Sequence, residues 1–168
     1  MYMISMKNKL YMLCAIMGVW ISACQKEYKE IGEVPSKVEG ITANWVLQAC
    51  EVVDKGGFVE ETMDITSFFY TKTNLPNIQL AMVNGAGVYT ADTSNIAFQF
   101  FGGTSGTWTF DNPNFPKQLI LTPTGSSTNL VFPLATTIRP TDTNLKLDKS
   151  ILCKDTEKAV YRLSFIRK

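Results

Sequence analysis

Ala159-Val160-Tyr161-Arg162-Leu163-Ser164-Phe165-Ile166-Arg167 decides the fold. Tyr161, Leu163 and Phe165 alternate with Arg162 and Ser164, so an extended chain puts apolar side chains on one face and polar ones on the other. Trp45 with Leu47, and Trp108 with Phe110, repeat this period of two. Alternation of this kind serves one apolar interior and one wet exterior.

Working outward, the same pattern recurs in short stretches rich in β-branched and aromatic residues and punctuated by Gly, Pro, Asn and Asp. Strands are expected at Trp45 to Val53, Phe58 to Met63, Asn77 to Val83, Gly87 to Ala91, Ile96 to Phe101, Gly106 to Phe110, Gln118 to Thr122, Asn129 to Thr136, Asn144 to Leu147 and Ala159 to Arg167. Ile65 to Tyr70 reads as one or two helical turns, with Asp64 or Thr66 as cap. Many short strands without long helices need a sandwich or a closed barrel, because an open sheet leaves its edges free to aggregate. The expectation is an all-β, antiparallel, up-and-down barrel of about eight strands.

The N-terminal stretch has a different grammar. Lys7 and Lys9 precede an apolar run from Leu10 to Ile21, followed by Ser22-Ala23-Cys24. This resembles a bacterial lipoprotein signal peptide, and the resemblance implies cleavage before Cys24, acylation of that cysteine with palmitate-type chains, and delivery to the cell envelope, with the outer membrane as address. Leu10 to Ala23 falls well short of the ~20 residues that cross a hydrocarbon core. The expected organisation is a signal peptide over residues 1–23, a tether over 24–39 and a barrel domain over 40–168. The tether's mixed charges keep it soluble or form part of a surface-export signal.

Composition excludes several functions. The chain has 16 Lys plus Arg against 15 Asp plus Glu, and loss of Lys7 and Lys9 with the signal turns the balance slightly negative. No clustered positive charge meets a phosphate backbone, so nucleic acid is not an expected partner. The chain contains no histidine, which removes the commonest general base and metal ligand and makes Ser-His-Asp and Cys-His devices impossible. The carboxylates of Glu51, Asp54, Glu60, Glu61 and Asp64 are the densest acidic group. Glu60 and Glu61 point to opposite faces of a strand, so they cannot flank one bond as glycosidase carboxylates do. No calcium loop surrounds them. No catalytic residue, metal or cofactor is expected.

Cys50 and Cys153 are the remaining cysteines of the exported part; they read as a disulfide closing the barrel or as two separate thiols. Gly102-Gly103-Thr104-Ser105-Gly106 lacks the lysine and following helix of a phosphate cradle and reads as a hairpin loop. Asp111-Asn112-Pro113-Asn114-Phe115-Pro116 reads as a structural turn. Phe98 and Phe100 are expected to face the core, and Phe101 to face outward or line a mouth. Phe68, Tyr70, Tyr89, Phe101 and Trp108 form the candidate ligand-binding set; the same residues also serve to fill a barrel.

Gly40-Ile41-Thr42-Ala43-Asn44-Trp45-Val46-Leu47 looks like the opening Gly-x-Trp strand of lipocalin-like lipoprotein domains of Bacteroidetes, with the glycine-to-tryptophan spacing stretched. Met63-Asp64-Ile65-Thr66-Ser67-Phe68-Phe69, Thr104 to Asp111 and Pro116 to Thr122 are similar to the motifs of one such family of unknown function. The resemblance implies a secreted, lipid-anchored antiparallel barrel with no assigned catalytic residue. Two functions follow as expectations. One is a noncatalytic envelope domain that binds a small apolar molecule or glycan; the other is a structural or interaction subunit of an envelope protein complex.

Overall fold

The computed structural model describes residues 35–69, 76–92 and 100–168; Cys24 and Tyr70 lie outside them. From Pro35 to Lys168 the chain forms one compact unit. It opens with helix α1 (Lys37–Ile41) and continues with β1 (Ala43–Asp54), β2 (Glu61–Asp64), helix α2 (Thr66–Phe69), β3 (Asn77–Val83), β4 (Ala86–Ala91), β5 (Ser105–Phe110), β6 (Gln118–Pro123), β7 (Leu130–Pro133), β8 (Asn144–Cys153) and β9 (Thr156–Arg167).

All pairings are antiparallel, in the order β7-β6-β5-β4-β3-β1-β9-β8, with β2 added on β1. β2 and β3 occupy one edge of β1: Asp54↔Glu61 to Glu51↔Asp64 pairs β2, and Val46↔Asn77 to Ala43↔Leu80 pairs β3. They act as one interrupted strand. At the break Ile65 N donates to Cys50 O at 2.9 Å, Leu47 N donates to Pro76 O at 2.8 Å, and the Thr66 hydroxyl accepts from Cys50 N at 2.8 Å. A side chain thus stands in for a ladder carbonyl where the backbone turns into α2. Counting β2 and β3 together gives an eight-stranded meander. It closes through Leu134↔Leu147 between the end of β7 and β8, backed by Ala135 N donating to Lys146 O at 3.0 Å. The expected all-β up-and-down barrel is the fold.

Alternation selects the inner face. Trp45 and Leu47 on β1, Ile78 and Leu80 on β3, Leu119 and Leu121 on β6, and Leu163 and Phe165 on β9 are all buried in one core. Full burial of each such side chain stabilises by about 1.5–3 kcal/mol. A register shift between Leu47 and Ala49 inserts one extra residue. That bulge turns Cys50 inward after Leu47, where strict alternation would expose it.

Two hairpins need left-handed backbone. Asn84 and Gly85 have φ of 51° and 80°, and Lys154 and Asp155 have φ of 49° and 62°. Two successive positive φ values match the twist of the flanking strands in a two-residue hairpin.

One end of the barrel is plugged by α1. Ser36 caps the helix by accepting from Glu39 N at 3.4 Å, and Lys37 Nζ donates to Ile138 O at 2.9 Å. Trp45 Nε1 donates to Ile41 O at 2.7 Å. The Arg167 guanidinium lies 5.1 Å from the Trp45 ring, donates to Pro140 O at 2.8 Å and also to Gly40 O. A Cβ at Gly40 would sit 2.6 Å from Ile138 Cγ2, so only glycine lets the helix approach this closely.

Several expected boundaries move. Lys37 to Glu39 belong to α1 and not to a tether, because Ser36 and Glu39 cap a turn that packs on the barrel. The strand expected at Phe58 to Met63 begins only at Glu61, leaving Phe58 and Val59 in an exposed loop. Residues 96–99 of the strand expected at Ile96 to Phe101 lie outside the described residues, and Phe100 and Phe101 are helical. β8 runs on past Leu147 to Cys153 because β9 gives it partners for its whole length.

Candidate functional site

The five candidate ligand residues do not form one site. Tyr89, Phe101 and Trp108 are buried in the core, Phe68 is 81% exposed, and Tyr70 lies outside the described residues. Tyr89 Oη donates to Phe101 O at 3.1 Å, and Trp108 Nε1 donates to Ala81 O at 3.1 Å. Their polar atoms are thus spent on the barrel's own carbonyls, as buried Tyr and Trp require.

Phe101 is turned inward, contrary to its expected position at a mouth. Its ring packs 5.8 Å from Phe132 and 6.4 Å from Phe165. Phe100 meets Tyr161 edge-on at 5.2 Å. This helical pair fills the interior at the end opposite α1. Lys149 points into the same region: its ammonium donates to Phe100 O at 3.1 Å and lies 5.8 Å and 5.9 Å from the Phe100 and Phe132 ring centres. Burial among these rings holds its pKa below the ordinary lysine value.

Beyond this floor the wall extends as a lip. The last third of β1, all of β2, the upper half of β8 and the start of β9 rise together, bonded in the order β2-β1-β9-β8. The loop between β1 and β2 carries Phe58 and Val59 at its tip, while Met63, Phe68 and Leu152 lie on the neighbouring elements; all five are exposed. Apolar side chains grouped in one region mark interaction surfaces more often than chance exposure does.

The lip is also acidic, at a cost. Glu51 stands opposite Asp64, and Asp54 opposite Glu61. Like charges facing across strands destabilise. Two neighbouring cations are already engaged: Arg162 forks onto both oxygens of Asp148 at 3.0 Å, and Lys55 pairs with Glu157 at 2.8 Å. The Asp64 carboxylate, held below its usual pKa by hydrogen bonds from Thr66, accepts from Thr66 N at 2.8 Å and so starts α2. This is the capping expected of Asp64.

Cys50 and Cys153 are not bridged. Cys50 faces Leu163 and Cys153 faces Thr156. Seven residues along β9 separate the two partners, roughly 23 Å, well beyond the ~7 Å Cα limit of a disulfide. Cys50 is buried and Cys153 exposed. Burial, with Asp64 and Glu51 nearby, pushes the Cys50 thiol up to about 12, which makes it a core group with no nucleophilic character at neutral pH.

At the α1 end, two shallow hollows flank the turn from Asp111 to Lys117. One, of about 190 Å³, lies among Val38, Met82, Gly87, Trp108, Phe110 and Pro113. The other, of about 280 Å³, lies among Lys37, Phe115, Pro116, Lys117 and Ile138. The first is shallow because Trp108 lies directly on Gly87: a Cβ there would come 2.8 Å from Trp108 Cδ2. Among the described residues no three His, Cys, Asp or Glu side chains group to hold a metal ion. No described helix is long and apolar enough to cross a membrane.

The lip was missed by sequence reasoning. Its signal lay in Phe58-Val59 beside the turn residues Gly56-Gly57, which a strand assignment absorbed. Compared with protein-family models, curated proteins and solved structures, the chain matches none of them.

Proposed function

We propose that this chain is a noncatalytic, lipid-anchored domain of the cell envelope, similar to lipocalin-like lipoprotein domains, that works as an interaction subunit: its lip docks a protein partner. The single observation that carries the reading is where the aromatic residues go. Tyr89, Phe101 and Trp108, suited in type to a small apolar or glycan ligand, are committed to packing the interior, while Phe58, Met63, Phe68 and Leu152 stand outside. A barrel of about eight strands either fills its interior with side chains or holds one small ligand. The filled interior favours contact through the surface.

The facing carboxylates give the partner a chemistry. Charge complementarity guides and orients association more than it tightens it. The fitting partner has an apolar centre rimmed by Lys or Arg. Membrane attachment comes through the lipid on Cys24, and outer-membrane placement follows from the same reading of the leader.

Cys153, exposed on the lip's own hairpin, supplies the test. A photoreactive group attached there in intact envelopes is expected to capture one protein at a fixed stoichiometry, and Phe58→Ser with Phe68→Ser to abolish capture while the domain stays folded. Capture that survives both substitutions contradicts a lip-centred interface.

A further inference from the structure

We infer that the α1 end of the barrel is a lipid-facing surface that seats the domain on an anionic bilayer with the lip pointing away. The inference rests on the proposed lipid anchor for its biology but on separate observations for its geometry.

The first observation is Phe115. It is 78% exposed at the tip of a turn that holds it there: Asn112 Oδ1 accepts from Asn114 N and Phe115 N at 2.9 and 3.0 Å. Asp111 Oδ1 accepts from Lys117 N and Gln118 N at 2.9 and 3.0 Å. Pro113 and Pro116 remove further freedom. An aromatic ring fixed in water by its own loop is an anchor awaiting an apolar phase, and aromatic side chains favour the headgroup zone of a bilayer. Met82 and Val83, at the end of β3, are also exposed on this end.

The second observation is charge. Lys37 and Lys117 flank the hollow floored by Phe115, Pro116 and Ile138. Arg139 and Lys168 are exposed at the same end. Among the described residues, the acidic side chains at this end are Glu39, Asp111 and Asp142, whereas the lip is crowded with carboxylates. The molecule therefore presents a mildly basic end and an acidic end, and an anionic surface selects the basic one.

The third observation is where the chain enters. Pro35 leads directly into α1, so whatever precedes it joins the domain at this end. Ten residues separate Cys24 from Pro35, a reach of at most about 40 Å even when extended. An acylated Cys24 therefore keeps the basic end within that reach of the headgroups, at high effective concentration. Phe115 and the lysines then need to fix orientation only, not to supply the whole affinity.

The test uses the mature chain carrying Cys24→Ser, which removes the acyl chains, and flotation with vesicles of phosphatidylethanolamine and phosphatidylglycerol. Measurable partition that falls roughly tenfold with Lys117→Glu, falls comparably with Phe115→Ser and is unchanged by Phe58→Ser is expected. Partition that is absent, that is equal on vesicles of phosphatidylcholine alone, or that depends on Phe58 overturns the inference. In the acylated chain, a fluorophore at Asn114→Cys in a Cys153→Ser background, which keeps Phe115, should be quenched by headgroup nitroxide, and one at native Cys153 should not; the reverse order also overturns it. The intact mass of the cell-derived chain reports separately whether Cys24 is acylated, so failure of the anchor and failure of the docking surface are distinguishable.

Discussion

The two ends of this barrel solve opposite problems with the same strands. At the α1 end Trp45, Arg167, Gly40 and Ile138 interlock through hydrogen bonds and ring contact, so backbone carbonyls of the helix and of the loop from Ala135 to Thr143 are satisfied by one guanidinium. At the lip, β2 has only β1 as partner, every residue of β2 is exposed, and carboxylates face each other. One end is built for rigidity and the other tolerates electrostatic cost. The difference teaches where to look for function, because stability is spent where contact with another molecule can repay it.

The comparison breaks first on stability. Trp45→Ala removes a ring that packs the core, accepts the Arg167 cation and caps α1 through its indole N–H, so a loss of about 3–5 kcal/mol is expected. Phe68→Ala at the lip should stay within about 0.5 kcal/mol. Denaturant unfolding monitored by fluorescence checks both, and similar losses at the two sites would erase the distinction.

Chemistry at the cysteines sharpens it next. Cys153 should react with a thiol reagent at once in the native protein, and Cys50 only on unfolding. Because the Cys50 thiol has its native pKa raised from 9.0 to about 12, its contribution to stability is complete below pH 9 and is lost as pH rises through that interval. Stability measured between pH 8 and pH 11 should decline in the native sequence and decline less in Cys50→Ala. Equal declines would remove Cys50 as the cause.

The smallest expected effect concerns the acidic pairs. Glu61→Lys converts the Asp54–Glu61 repulsion into attraction and should raise stability by about 0.5 kcal/mol, while weakening capture of a partner at Cys153. A stabilised variant with undiminished capture would mean that this acidic pair is incidental.

Much of the fold was legible in the sequence. Asn77 to Val83 is a strand from end to end, and β5, β6 and β9 lie where alternation put them, because an inward face of Leu, Phe and Trp admits no other register. The upper half of β8 escaped because Asp148-Lys149-Ser150 breaks the apolar alternation; Lys149 points inward, where the Phe100 carbonyl and two ring faces receive its ammonium. α1 escaped because its five residues are too few to show a helical period, although Ser36 and Glu39 carry the three-residue spacing of a capping box. The candidate site was the least legible part. Tyr89, Phe101 and Trp108 have the residue types of both a ligand pocket and a packed core, and only the direction each ring takes separates the two. Phe101 faces inward because the chain turns helical there, a change of period that its own glycine-flanked neighbourhood does not announce.

The central claim is that the interior is solid and the outside does the work. Native mass spectrometry of the mature chain, purified gently from the cells that make it, tests it most directly. The account predicts a mass equal to the acylated chain, alone or with one protein partner. A stoichiometric small molecule retained by the chain on its own would contradict it.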